Sequence, residues 1–135
     1  MHWENCRDFC KQQLCCLMGD VLKTDFTYKI ADKIVAYHPD TKAAFKPFKG
    51  FASVVNEAGQ VVWYGFHHRG DAFGECKHHF EALLARLKRA NGDDYMPSAI
   101  YIDYCCQRRD SFEKVFPGVP ILLGPFYWFN RWQEG

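Results

Sequence analysis

The stretch Ser98-Ala-Ile-Tyr-Ile-Asp103-Tyr-Cys-Cys-Gln-Arg-Arg-Asp110-Ser-Phe-Glu-Lys-Val-Phe-Pro-Gly-Val-Pro120 decides how the rest of the chain is read. A short apolar run, Ala99, Ile100 and Ile102, ends abruptly on an acid, Asp103. Phe112, Val115 and Phe116 then recur at helical spacing until Pro117-Gly118 stops the pattern, and a second apolar run begins at Val119. Strand, helix, strand is the parallel crossover unit. In open α/β sheets, ligands gather beyond the carboxyl ends of the strands. Asp103 stands at such an end.

Working upstream, residues 72–90 carry the clearest helix signal. Phe73, Cys76 or Lys77, Phe80, Leu83, Leu84 and Leu87 follow the i, i+3, i+4, i+7 pattern. Asp71 is the predicted N-cap, Arg86, Lys88 and Arg89 complement the dipole of the last turn, and Gly92 is the stop. Residues 50–57 and 60–67 read as a hairpin, with Gly59 supplying the tight turn. Residues 21–37 open with alternation, Phe26, Tyr28 and Ile30 against Asp25, Thr27 and Lys29, which predicts a strand over 22–31. His38-Pro39-Asp40 turns the chain into a basic loop over 41–49. Downstream, 120–123 reads as a short buried strand, followed by an aromatic helix start. The expected fold class is α/β: a five-stranded mixed sheet, with the hairpin antiparallel and the strands at 22–31, 99–103 and 120–123 parallel.

The chain of 135 residues suits one domain, with residues 1–19 as a cysteine-containing helical segment and 20–135 as the main body. A hydrophobic content of 48% argues for a packed core over disorder. The net charge of +1 gives no global attraction to nucleic acid or membrane. The basic clusters Lys42, Lys46 and Lys49, then Arg86, Lys88 and Arg89, then Arg108 and Arg109 read as solvated surface. No run approaches the ~18 apolar residues of a membrane span, and the first residues lack a signal-peptide layout. Seven cysteines, an odd number, are read as reduced thiols in an intracellular protein, nuclear if eukaryotic.

Other groups carry two readings each. Cys6, Cys10, Cys15 and Cys16 suit either zinc ligation or the buried face of a short helix. His67-His68 and His78-His79 suit a transition metal, but neighbours on a strand point to opposite faces. One of His67 and His68 is therefore predicted buried and the other exposed. Cys105 and Cys106 are predicted to stay unbridged, because adjacent cysteines pair only under strain.

Asp25-Phe-Thr-Tyr-Lys29 resembles the first-acid motif of DDE-type, including Mutator-like, transposases. Ile100-Tyr-Ile-Asp103-Tyr-Cys-Cys106 is similar to their second-acid strand, and Val115-Phe-Pro-Gly-Val-Pro-Ile-Leu-Leu123 to the segment downstream of that strand. The resemblance covers about residues 20–133 of the sequence. It implies a ribonuclease H-like sheet of order 3-2-1-4-5, with Asp25 beside Asp103 as catalytic and metal-binding residues. It further implies Mg²⁺ or Mn²⁺ as cofactor and DNA as partner, with a homo-oligomer or a longer transposase chain as context and no membrane. The sequence departs from the family at Tyr104, Gly124 and Tyr127, where an asparagine, an acid and a histidine are usual. The family's last carboxylate lies further downstream than Gly135. Asp71, Glu75 and Glu81 are the candidates for a third acid within this chain. The resemblance thus implies a partial, degenerate catalytic domain, inactive as an isolated chain. The alternative is a non-catalytic DNA-binding or zinc-dependent interaction module.

Overall fold

A computed structural model describes residues 6–10, 18–69, 72–103 and 105–124, with only the backbone for 72 and 105–107. In chain order its elements are β1 (Val21–Thr27), a 3-10 turn (Ala31–Lys33), β2 (Ala36–Tyr37), β3 (Ala44–Phe45), β4 (Gly50–Val55) and β5 (Val61–His67). Then come α1 (Ala72–Asn91), β6 (Ala99–Ile102), α2 (Cys105–Val115) and β7 (Ile121–Leu123). Residues 6–10 are also helical. The main sheet has five strands in the order β5-β4-β1-β6-β7. β4 pairs antiparallel with both β1 and β5, while β6 runs parallel to both β1 and β7, so the sheet is mixed, as expected.

Alternation divides this sheet into two unlike faces. On the inner face Leu22, Thr24, Ala52, Val54, Ile100, Ile102 and Ile121 are buried. Both helices cover that face, because their apolar stripes have nowhere else to be satisfied. Phe73, Phe80, Leu83 and Leu87 of α1 join Phe112, Val115 and Phe116 around α2 in one cluster. Phe80 touches Phe73, Phe112 and Trp63 at ring-centroid distances of 5.5, 5.2 and 5.6 Å. Burying each such ring stabilises the fold by about 1.5–3 kcal/mol.

Side chains pin the loops. At the β4–β5 turn Asn56 Oδ1 accepts the amides of Ala58 and Gln60, and its Nδ2 donates to the Met18 carbonyl. Gly59 there has φ +76, which only glycine adopts cheaply. Glu57 accepts the amides of Asp20 and Val21, tying the start of β1 to the same turn.

Three expectations are corrected. β1 ends at Thr27, not near residue 31, because Tyr28 O accepts the Asp32 amide and the chain coils into the 3-10 turn. Tyr28 and Ile30, which continue the alternation in sequence, are exposed. The basic loop contains β3, which pairs with β2 as a small separate hairpin with Lys42 at φ 57. The predicted cap Asp71, the segment after Gly124, and Cys15 and Cys16 lie outside the described residues, as do the side chains of Cys105 and Cys106. No described helix is long and apolar enough to cross a membrane.

Candidate functional site

Asp103 comes directly after the last residue of β6 and is 5% exposed. Asp25 lies within β1 and is half-buried. The parallel ladder between the two strands pairs Val21 with Ala99, Leu22 with Ile100 and Lys23 with Tyr101. The paired residues end there and β6 ends at Ile102; extended by two residues, the same register would set Asp25 level with Asp103. Neighbouring strands lie about 4.8 Å apart. Carboxylates on adjacent strands thus suit a shared hard cation, whose oxygen ligands sit at about 2.0–2.1 Å for Mg²⁺.

Topology makes this the natural place for a ligand. From β1 the chain proceeds toward β4 and β5 on one side, while from β6 it crosses through α2 to β7 on the other. The gap between strands whose connections depart in opposite directions is the usual ligand position of open α/β sheets. Asp103 stands at the carboxyl end of β6, where such a ligand position would fall.

The three candidate third acids behave differently. Glu75, in the first turn of α1, accepts the His68 amide at 2.9 and 2.8 Å and the Arg69 amide at 2.8 Å. Desolvation is the largest influence on its carboxyl and pushes the pKa up. The amide donors of His68 and Arg69, with the neighbouring imidazoles, outweigh it and hold the carboxyl below its ordinary value. Glu75 is therefore committed to closing the loop between β5 and α1, as a carboxylate in a helix's first turn readily does. Glu81 pairs with Lys77 at 3.7 Å on an exposed helix surface. Asp71 is outside the described residues. Both glutamates ride on the helix that covers the inner face, whereas Asp25 has the parity of the outer one. Among the described residues, no group of three or more His, Cys, Asp or Glu is arranged to hold a metal ion.

The histidines divide as expected. His67 is fully buried, with Nδ1 donating to the Arg69 carbonyl at 2.9 Å, and His68 is exposed, with its ring on the Pro47 carbonyl. His79 stacks near Trp63, and burial, with His78 beside it, lowers its pKa. Cys6 is half-buried, Cys10 is exposed and Cys76 is in the core.

Sequence reasoning missed the outer face of the sheet. Cross-strand pairing aligns Asp25 with Ser53 and Ser53 with Tyr64, and aligns Thr27 with Phe51 and Phe51 with Phe66. The rings form a continuous row: Phe48 to Phe66 at 4.6 Å, Phe66 to Phe51 at 5.1 Å and Phe51 to Tyr64 at 6.1 Å. The signal was present in the alternate positions 51, 64 and 66, but pairing Phe51 with Phe66 requires the hairpin register. Comparison with family models, with curated proteins and with solved structures found no match.

Proposed function

We propose that this chain is a ribonuclease H-like domain derived from a DDE-type transposase. It holds one divalent cation, Mg²⁺ or Mn²⁺, between Asp25 and Asp103, and engages DNA without cleaving it alone. The observation that supports this reading is the parallel β1–β6 pairing, whose continuation would level the two acids at the point where the sheet's connections diverge. The order β5-β4-β1-β6-β7, with the small β2–β3 hairpin set aside, corresponds to the 3-2-1-4-5 arrangement implied by the sequence resemblance.

The chemistry sets the limit on activity. Two carboxylates with water completing an octahedron suffice for one Mg²⁺. In-line phosphodiester cleavage by two metals needs a second ion about 3.5–4 Å away, to share activation of the attacking oxygen and stabilisation of the leaving one. The described residues offer no third acid for it, since Glu75 and Glu81 are engaged elsewhere. A further carboxylate from additional sequence or a partner chain would complete the site.

The test is a nicking assay on supercoiled plasmid with Mn²⁺, run beside metal analysis of the purified protein. The expected result is weak Mn²⁺ binding and no accumulation of nicked circles. Robust cleavage that disappears in Asp103→Asn would contradict the claim that this chain is inactive alone. Tightly bound zinc without Mn²⁺ affinity would favour the cysteine-based interaction module instead.

A further inference from the structure

We propose that the outer face of the sheet, along β4 and β5, is a stacking platform for single-stranded DNA. The inference deepens the reading above, resting on it for DNA as the partner class, and it names the form of DNA and the residues that hold it. The rings of Phe48, Phe66, Phe51 and Tyr64 run in a contiguous row across the two strands. Tyr64 is 61% exposed and Phe66 36%, far more than aromatic side chains on a covered sheet face retain. α1 and α2 both pack on the opposite face.

Charge points to the occupant. Residues 28–49, which enclose the β2–β3 hairpin and lead into β4, carry five lysines against two aspartates. That gives +3, while the whole chain is only +1, so the remainder is acidic by two. Lys49 precedes Phe51 by two residues, and its amide donates to the His67 carbonyl, which holds it against the end of β5. Arg69 lies two residues beyond His67, while Lys46, two residues before Phe48, is paired with Asp32 at 3.1 Å. Lys23 projects with the parity of Asp25 on the same face and is exposed. A row of rings with Tyr64 and Phe66 exposed and Phe48 and Phe51 half-buried, flanked by cations, is an arrangement that can bind unpaired bases by stacking and phosphates by charge. Duplex DNA hides its base faces and offers the rings nothing to stack on. The row passes one strand away from Asp25 through the Ser53 pair, so a strand lying on it would lead toward the two carboxylates.

The experiment uses the full chain and fluorescein-labelled oligothymidylate in EDTA, read by anisotropy, so that metal at Asp25 and Asp103 plays no part. Wild type binds the single strand more tightly than a duplex of equal length. Tyr64→Ala combined with Phe66→Ala weakens binding by about fivefold or more, with a retained cooperative thermal unfolding transition well above the assay temperature as the folding control. Lys49→Ala lowers the slope of log affinity against log salt by about 0.7. Lys77→Ala, on the exposed surface of α1 away from the row, leaves single-strand binding intact, and a separate Mn²⁺ titration of the same preparation distinguishes failure of this inference from failure of the metal site. Absence of wild-type binding, or indifference to the aromatic pair, overturns the proposal. So does preference for duplex, or a dimer in size-exclusion chromatography that the aromatic substitutions dissolve.

Discussion

The two faces of one sheet are built from the same strands and obey opposite rules. Leu22, Val54, Ile100 and Ile102 point one way and are 1% exposed, while Lys23, Asp25, Phe51, Ser53 and Tyr101 alternate with their neighbours and point the other. The inner face is closed by two helices and holds the largest buried rings. The outer face keeps Asp25, a lysine and aromatic rings within reach of solvent. Stability therefore resides on one side of the sheet, and the chemistry proposed here on the other, so substitutions on the two faces should separate cleanly.

The sharpest contrast is Phe80→Ala against Tyr64→Ala. Phe80 is 1% exposed and central to the core, so its truncation should destabilise the fold by about 3–5 kcal/mol. Tyr64→Ala on the exposed face should stay within about 0.5 kcal/mol. Urea unfolding measures both, and comparable losses at the two positions would break the division between faces.

Gly50→Ala comes next. A Cβ at Gly50 would collide with the imidazole of His67, which is fully buried and held through Nδ1 by the Arg69 carbonyl. The substitution should cost about 1–3 kcal/mol as overpacking. Combining it with His67→Ala should recover part of that loss, because the obstructing ring is gone. Equal stability of Gly50→Ala and wild type in the same urea series would remove this close approach from the account.

Glu75→Gln should cost about 1–2 kcal/mol near neutral pH, since a charged acceptor of two backbone amides becomes a neutral one. The sign with pH is set by a folded pKa below the ordinary 4.5. The ionised carboxyl contributes stability above the unfolded value, and loses it as pH falls through the lower folded value. Thermal unfolding of wild type and Glu75→Gln should therefore converge in acid and separate by pH 6–7. A constant gap across pH would assign the cost to packing instead.

The smallest effect belongs to Lys77→Ala, which removes an exposed pair with Glu81 and should change stability by only about 0.3–0.5 kcal/mol, less at high salt. A loss of more than about 1 kcal/mol would mean that Glu81 is engaged beyond that pair.

Sequence alone exposed much of the inner face, because that face is written in period. Phe73, Phe80, Leu83 and Leu87 announce α1, and Ile100 and Ile102 announce β6, since each buried position recurs at the spacing of its element. The features that escaped depend on hydrogen bonds between segments. Tyr28 and Ile30 keep the strand pattern, yet the Tyr28 carbonyl is taken by the Asp32 amide and the strand stops. Ala36–Tyr37 and Ala44–Phe45 are too short for alternation to reveal them. Glu75 reads as a solvated helix residue until the loop from β5 folds its amides onto it. The neighbourhood of Asp25 and Asp103 was implied by the sequence resemblance, and the parallel register of β1 with β6 sets their two strands side by side.

That register is the central claim, and a double-mutant cycle on Mn²⁺ binding tests it most directly. Wild type, Asp25→Asn, Asp103→Asn and the double variant would be titrated with Mn²⁺ and followed by electron paramagnetic resonance. If both carboxylates hold one ion, either single substitution should remove most of the affinity, and the double variant should lose little more. Losses that simply add, or a wild type that binds no Mn²⁺, would contradict the shared site.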